Sequence, residues 1–447
     1  MIKVITYGTF DMFHIGHQRL LERAKALGDY LIVGVTSEDF DKARGKINVK
    51  QSLMERIEAI KESGLADEVI VEEYDGQKID DIKRYDIDIF TVGSDWVGKF
   101  DYLNEYCKVV YLDRTQGVSS SQKRTELREL KMGIISDNAI MNKVANESSF
   151  VNGLNINCVC TTSPQLLSQE LKSCKVLNDY AKLLECVDAV YIASHPRMHY
   201  EQIKLALLKH KHVLCESPIA LSSAECNELL ELAIRQNCVL MDGIKTAYST
   251  AFNRLILLAK SGQIGDVVSV DATCTSLRDI NYNDSTSLQH VWSSLQSWGP
   301  TALLPVFALL GCHYSCSRID SHIVNKDLHF DDFTRISFTY PKALATIYVG
   351  KGVKKEGELI ISGTKGYIYV PAPWWKTDYF ELRFENPEEN KRYFYQLEGE
   401  GIRYELVSFL SSIERSKFNN ISREVSLCIT QIMEDFEKEE NLHYLKY

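Results

Sequence analysis

The sequence predicts an α/β protein in three parts. Residues 1–130 read as a Rossmann-like unit, 131–245 as a second Rossmann-like unit, and 246–447 as an α+β part built on a large, mostly antiparallel sheet. Three observations predict this. Apolar strand-like runs alternate with amphipathic helical stretches from the start of the chain to about residue 130. The same pattern restarts at Lys131. From about Ala251 it gives way to long stretches of two-residue alternation, the period of half-buried strands.

In the first part the strand-like runs are 2–7, 30–35, 68–71, 87–92 and 109–112. Helical periodicity fits 16–27, 52–63 and 79–85, and a last helix opens at 119–121 and runs to about 130. That order is a parallel sheet with crossover helices. In the second part, strands are expected at 132–135, 155–160, 189–193 and 212–215, and helices at 138–150, 199–209 and 222–236, ending near 241–243. In the third, a helix over 252–261 leads into alternating stretches at 267–274, 337–349, 358–361 and 367–370. No Pro/Gly/Ser-rich linker separates the parts.

Composition narrows the classes. The chain is 45% hydrophobic and 25% charged, ordinary for a globular protein. Its net charge of −10 comes with no basic half, stripe or tail, which argues against a nucleic-acid partner. No apolar run approaches the roughly 18 residues of a membrane span, and the start has no signal-peptide pattern, so no membrane insertion and a cytoplasmic location are expected. The twelve cysteines show no zinc-like paired spacing and read as reduced core residues.

The chemistry concentrates in residues 8–17, GTFDMFHIGH, directly after the first strand. Gly8 and Thr9 put backbone N–H groups at the mouth of the sheet. His14 and His17 fall three apart on the first turn of the next helix, on one face. A helix start favours anions and disfavours protonated imidazole. Two neutral donors aimed at one point suit a phosphoryl group gaining charge during in-line displacement. Gly16 allows close approach of a nucleotide. A second anion cradle is Arg114-Thr-Gln-Gly-Val-Ser-Ser-Ser121, past the fifth strand and opening a helix. Two histidines near a helix start, or Ser119 and Ser120, could be mere caps. Capping leaves Arg114 and Gly117 unexplained.

On these motifs, and on GSDWVGKFDYL at 93–103, residues 1–130 resemble the HxGH nucleotidyltransferase superfamily, and within it the cytidylyltransferases that act on glycerol 3-phosphate. The resemblance implies transfer of CMP from CTP to a polyol phosphate, releasing pyrophosphate, with Mg2+. It implies catalytic roles for His14, His17, Lys46 and Arg114. It implies nucleotide contacts from Thr9, Phe10, Asp11, His14, Gly16, His17, Asp95, Arg114, Thr115, Gly117, Val118, Ser119, Ser120 and Ser121. Lys46 and Lys78 would meet the acceptor, Asp11 and Asp95 would organise the site, with Asp11 a candidate for the metal, and Arg56 is a further carry-over. The family's final motif ends in threonines where this chain has Ser120 and Ser121, which keeps the hydroxyls. The stretch between Phe40 and Ser52 carries one extra residue.

Residues 131–447 resemble the Gfo/Idh/MocA oxidoreductases through YIASHPRMHYEQIKLALLKHKHVLCESPIAL (191–221), SGQIGDVVSVDA (261–272), ISGTKGYIYVPAPWWKTDYFE (361–381) and GEGIRYELVSFL (399–410). That family implies a Rossmann domain followed by an open sheet. A dinucleotide turn needs glycines so that the pyrophosphate can approach the helix start. Here the family's glycine or small positions hold Ser136, Asn138 and Met141, and Asp137 adds a negative charge. The Glu-Lys-Pro lysine is replaced by Ser217, and the later Asp-x-Gly-x-His/Tyr pattern reads Ser297-Trp-Gly-Pro-Thr301. Serine and threonine are poor general acids or bases near neutral pH. Lys245 and His313 are the available substitutes. The expectation is a pseudo-oxidoreductase that does not bind NAD(P), with Pro373-Trp-Trp-Lys376 as packing or interface, and a homodimer or higher oligomer.

Three functional readings stand. One is a cytidylyltransferase making CDP-glycerol for teichoic acid or capsule, with a C-terminal module for assembly or docking. Another is a bifunctional enzyme whose second half is an NAD(P)-dependent oxidoreductase supplying or modifying the polyol phosphate. The third is an inert scaffold, against which the intact HxGH and RTxGxS elements speak.

Overall fold

β1 (Lys3–Gly8) is the centre of the first sheet, a computed structural model providing the coordinates. The described residues are 1–37, 49, 51–74, 76–113, 130–151, 153–395, 397, 399–415 and 421–445, without the side chains of Asp95, Ser287, Glu414 and Arg415. They divide into two units, Met1–Arg128 and Glu129–Tyr447.

In the first unit, β2 (Tyr30–Thr36), β3 (Glu68–Glu72), β4 (Ile89–Gly93) and β5 (Lys108–Leu112) join β1 in the order β3-β2-β1-β4-β5. Every pairing is parallel. The order reverses between β1 and β4, which opens a crevice outside their carboxyl ends. Three helices connect them: α1 (Ile15–Lys25), α2 (Leu53–Glu62) and α3 (Gln77–Tyr85). Both faces of the sheet are covered, so the central strands are apolar at successive positions. Val4 packs with Leu21, Val33 and Ile57 on one face. Ile5 packs with Ile32, Phe90 and Leu103 on the other. Each such buried aliphatic side chain stabilises by about 2 kcal/mol. A capping box at Ser52 and Glu55 starts α2. The helix expected from 119–121 lies outside the described residues, and Leu130 belongs to a strand.

The second unit holds two sheets. β6 (Leu130–Ile135), β7 (Leu154–Cys160), β8 (Lys175–Leu177), β9 (Ala189–Ile192), β10 (His212–Glu216) and β11 (Leu240–Gly243) form a parallel sheet in the order β11-β10-β9-β6-β7-β8. Its longer helices are α4 (Ile140–Ser148), α5 (Pro196–Leu208) and α6 (Ser223–Arg235). After α7 (Thr250–Lys260) comes a sheet of β12 (Val267–Thr275), β13 (Cys316–Asn325), β14 (Phe330–Thr339), β15 (Leu344–Gly350), β16 (Leu359–Gly363), β17 (Gly366–Val370), β18 (Tyr379–Phe384), β19 (Lys391–Phe394) and β20 (Leu442–Tyr444). Its order is β19-β18-β17-β16-β12-β15-β14-β13-β20. Most neighbours are antiparallel, while β12–β15 and β13–β20 are parallel.

Two differences from the sequence reading have physical causes. The stretch 337–349 is two strands rather than one, because Pro341 lies in the turn between β14 and β15 and cannot donate to a ladder. α8 (Ser294–Leu310) is a long helix that contains Pro300 and Pro305. It survives them because nearly all of its length is buried, its start is closed by a Ser293–Gln296 capping box, and Asp331 accepts the Leu295 N–H at 3.0 Å. α9 (Ile402–Arg415) and α10 (Arg423–Glu437) complete the unit. A continuous apolar core joins residues of both sheets, from Met132 and Val159 to Ile347 and Phe436. The division at 245/246 therefore separates sheets rather than cores. Among the described residues no helix is long and apolar enough to cross a membrane.

Candidate functional site

The chain leaves β1 through a strained turn. Phe10 and Met12 both take left-handed backbone angles, φ 53° and 51°, at a cost on the order of 1 kcal/mol each. Phe10 is buried and its ring lies 3.1 Å from where a side chain on Gly8 would begin, so a larger residue there would crowd the ring. Arg56 holds this turn from below. It is fully buried, and its guanidinium donates to the carbonyls of Thr9 (2.7 Å), Thr36 (2.7 Å) and Gln51 (3.2 Å). Asp11 is buried as well. Its carboxylate accepts from Gln51 N at 3.0 Å, and Met12 N donates back to the Gln51 side chain. Asp11 thus organises the loop.

His14 caps α1, and Gly16 N donates to its Nδ1 at 3.0 Å. That bond fixes the tautomer: Nδ1 is bare and Nε2 carries the proton. The cap and the functional reading are therefore one feature. His14 and His17 stack with centroids 3.9 Å apart and planes 15° apart, a spacing that two imidazolium charges would oppose. His17 is braced by Phe10 (5.5 Å) and Phe13 (5.8 Å). The pair stands stacked at a helix start, on the carboxyl edge of the sheet.

Lys78 sits in the first turn of α3, paired with Glu72 of β3. Its ammonium lies 4.8 Å from the Tyr7 ring and 5.4 Å from the Phe100 ring. Sequence reasoning missed this cage, although Tyr7, Glu72 and Phe100 all close strands or turns at the same sheet edge. Lys46, Arg114, Thr115, Gly117, Val118, Ser119, Ser120 and Ser121, and the Asp95 side chain, lie outside the described residues.

In the second unit the turn after β6 is filled by its own side chains. Ser136 Oγ and Asn138 Nδ2 each donate to the Ala193 carbonyl at 3.2 Å. Asn138 Oδ1 accepts the Ile140 N–H at 2.9 Å, the first amide of α4. Asp137 accepts from Thr161 Oγ1 (2.9 Å) and Thr162 N (2.6 Å). Met141 is buried in the core. Beyond β10 and β11, Ser217, Glu216 and Asp242 lie near Glu405 of α9. Tyr191 donates its hydroxyl to Glu216. Burial pushes the Asp242 carboxyl up to about 6, against hydrogen bonds from Ser217 and Ser426. Burial, then the Glu216 charge, pushes Glu405 well above the usual carboxylate range, and Lys245 pulls it back.

Ser297 and Thr301 are half-buried on α8, and Gly299 between them lets Met433 pack close. His313 does not join them: its side chain is 98% exposed beyond the far end of α8, an end about 20 Å along the axis from Ser297. Trp374 is core, with its Nε1 donating to the Thr273 carbonyl at 3.1 Å, and Trp375 packs on Trp298 at 4.9 Å. The Pro373-Trp-Trp-Lys376 stretch is packing.

A five-stranded parallel sheet with a strained turn and an HxGH helix start defines a nucleotidyltransferase, and the six- and nine-stranded sheets after it define an oxidoreductase-type fold. A cytidylyltransferase-like family profile matches residues 5–149, and the profile of an oxidoreductase family with an NAD-binding Rossmann fold matches 132–244. A glycerol-3-phosphate cytidylyltransferase from Bacillus spizizenii is 51% identical over 130 residues, 29% of this chain and the whole of that protein. One from Staphylococcus aureus is 42% identical over 132 residues, 28% of this chain and 96% of that protein. A scyllo-inositol 2-dehydrogenase (NADP+) from Bacillus subtilis is 29% identical over 131 residues, 28% of this chain and 40% of the dehydrogenase. A 3-ketoreductase from Actinomadura kijaniata, solved with NADP and TDP-benzene, superposes with a TM-score of 0.61 at 16% identity, covering 71% of this chain and all of that one. This chain belongs to the glycerol-3-phosphate cytidylyltransferase family through its N-terminal domain, which is fused to a domain of Gfo/Idh/MocA oxidoreductase fold.

Proposed function

We propose that the chain transfers CMP from CTP to glycerol 3-phosphate, giving CDP-glycerol and pyrophosphate, and that its second unit keeps an oxidoreductase fold without hydride chemistry. The observation that carries the first half is the stacked His14–His17 pair at the start of α1. An oxygen of the acceptor's phosphate attacks the α-phosphorus of CTP, and the bond to the pyrophosphate leaving group breaks in line. Charge gathers on the oxygens in flight. The His14 Nε2–H, whose tautomer the Gly16 cap sets, and His17 stabilise it. Arg114 to Ser121 hold the nucleotide, Lys46 and Lys78 the acceptor. Asp11 accepts the Gln51 N–H through one carboxylate oxygen and so shapes the loop beside the nucleotide. The Mg2+ that the transfer needs would accompany the triphosphate. A panel of phosphorylated acceptors with CTP and Mg2+, followed by pyrophosphate release, tests the acceptor. Glycerol 3-phosphate is expected to exceed ethanolamine phosphate and glycerol 2-phosphate in kcat/KM, and preference for any other acceptor overturns that assignment.

For the second unit, the Ser136 and Asn138 side chains take the carbonyl and amide that a pyrophosphate turn would leave open, and Asp137 repels an anion. The bifunctional reading has the NAD-binding family profile in its favour. Fluorescence titration with NADPH separates the two. No saturable binding is expected, and a micromolar Kd would favour the bifunctional enzyme. The unit's role is assembly: the nine-stranded sheet has α8 on one face, while the other carries half-buried aromatic and arginine residues such as Phe333, Tyr348, Tyr369 and Arg383. That composition suits a homodimer contact. The product would feed an activated-polyol route to a surface polymer of the cytoplasm's making.

A further inference from the structure

The geometry points to Tyr7 and Asp81 as positioning residues that set Lys78 against the acceptor's phosphate. The inference rests on the transferase reading above and deepens it at the acceptor end.

Tyr7 is the last large residue of β1, one position before the Gly8–Thr9 turn, and it is 6% exposed. Its ring crosses β2 where that strand has Gly34. A Cβ there would sit 2.2 Å from the ring, so the glycine makes the ring's seat. Phe90 of β4 stacks beside it at 6.1 Å. The hydroxyl reaches α3 and donates to Asp81 Oδ2 at 2.8 Å. Burial keeps that hydroxyl protonated, hence a donor. Asp81 is in turn held by Gln77 Nε2 at 3.0 Å. Gln77 is clamped to β3, donating to the Val71 carbonyl at 2.6 Å and accepting from Glu73 N at 2.7 Å.

The outcome is a fixed cation. Lys78 lies between Gln77 and Asp81 on α3, and its ammonium rests over the Tyr7 ring with Phe100 and Glu72 around it. β3, whose Glu72 pairs with Lys78, is two strands from β1 in the sheet, a gap of about 10 Å between strands. Tyr7 spans that gap. Its backbone leads into the nucleotide's turn and its ring fixes the lysine, so it relates the two phosphate positions to each other. Orientation of this kind is sensitive to small displacements. Loss of the Tyr7–Asp81 bond frees the ring to tilt and lets the ammonium wander, which weakens acceptor capture while leaving the nucleotide's contacts in place.

The test uses the full chain, with pyrophosphate release from CTP and glycerol 3-phosphate. Tyr7→Phe and Asp81→Ala are expected to raise the acceptor KM roughly tenfold while moving the CTP KM and kcat by less than about twofold. Asp81→Asn is expected to restore most of the loss, because its amide oxygen still accepts the Tyr7 hydroxyl. Should Asp81→Ala unfold, Tyr7→Phe carries the test alone, since it removes one atom from an otherwise intact ring. An unmoved acceptor KM in Tyr7→Phe, or a CTP KM that rises in step with it, overturns this proposal alone. Absence of pyrophosphate release by the unsubstituted chain with every phosphorylated acceptor overturns the transferase reading and this proposal with it.

Discussion

At the residue scale, two kinds of buried or half-buried polar group behave oppositely. In the proposed mechanism His14 and His17 act as neutral donors. Replacing either with alanine is expected to lower turnover on the order of 10²-fold or more, the usual effect of losing a donor to developing charge. A near-normal kcat in either variant, measured at saturating CTP, would remove the histidines from the mechanism. Burial raises the Asp242 and Glu405 carboxyls of the second unit, which face Glu216, Lys245, Ser217 and Ser426. A carboxyl raised in the folded state binds a proton the unfolded chain releases, so stability falls as pH rises. For Asp242 the window runs from its ordinary 3.8 to about 6, worth about 3 kcal/mol across it. Thermal melts of an Asp242→Asn variant should show less loss between those pH values than the unsubstituted chain. Parallel melting curves would contradict the assignment.

At the element scale, the turn between β1 and α1 depends on a residue far away in sequence. Arg56 of α2 ties together three carbonyls, at the ends of β1 and β2 and before α2. Arg56→Met is expected to destabilise the first unit by about 3 kcal/mol, read from its urea midpoint, and lysine should not rescue it, having no planar fork. Strand–helix alternation and the HxGH turn were legible in sequence because each is a local pattern. The fork of Arg56 was not, and neither was the Lys78 cage, since both join elements through space. α8 was hidden for another reason: Pro300 and Pro305 read locally as breaks, and only burial on both sides overrides them. The parallel β12–β15 pairing is likewise invisible to alternation, which reports a strand's faces and not its neighbours. Asp11, read as a candidate for the metal, also holds backbone by accepting the Gln51 N–H.

At the scale of the whole molecule, one chain contains two strand-to-helix anion turns with opposite fates. After β1 the turn is strained and braced, with a glycine, two histidines and a buried arginine serving it. After β6 the turn is stitched shut by Ser136, Asn138 and Asp137. Under the function proposed above, the fusion is a transferase carrying a fold kept for its surface. Tyr348→Asp, on the uncovered sheet face, is expected to shift the full chain from dimer to monomer in sedimentation velocity, with turnover retained. A monomeric parent chain would contradict the assembly role. The central claim is the CMP transfer itself, and 31P NMR of the full chain with CTP, Mg2+ and glycerol 3-phosphate tests it most directly. The account predicts a growing pair of diphosphate resonances from CDP-glycerol together with pyrophosphate, at a rate that collapses in His14→Ala. Spectra in which CTP and glycerol 3-phosphate persist unchanged would contradict it.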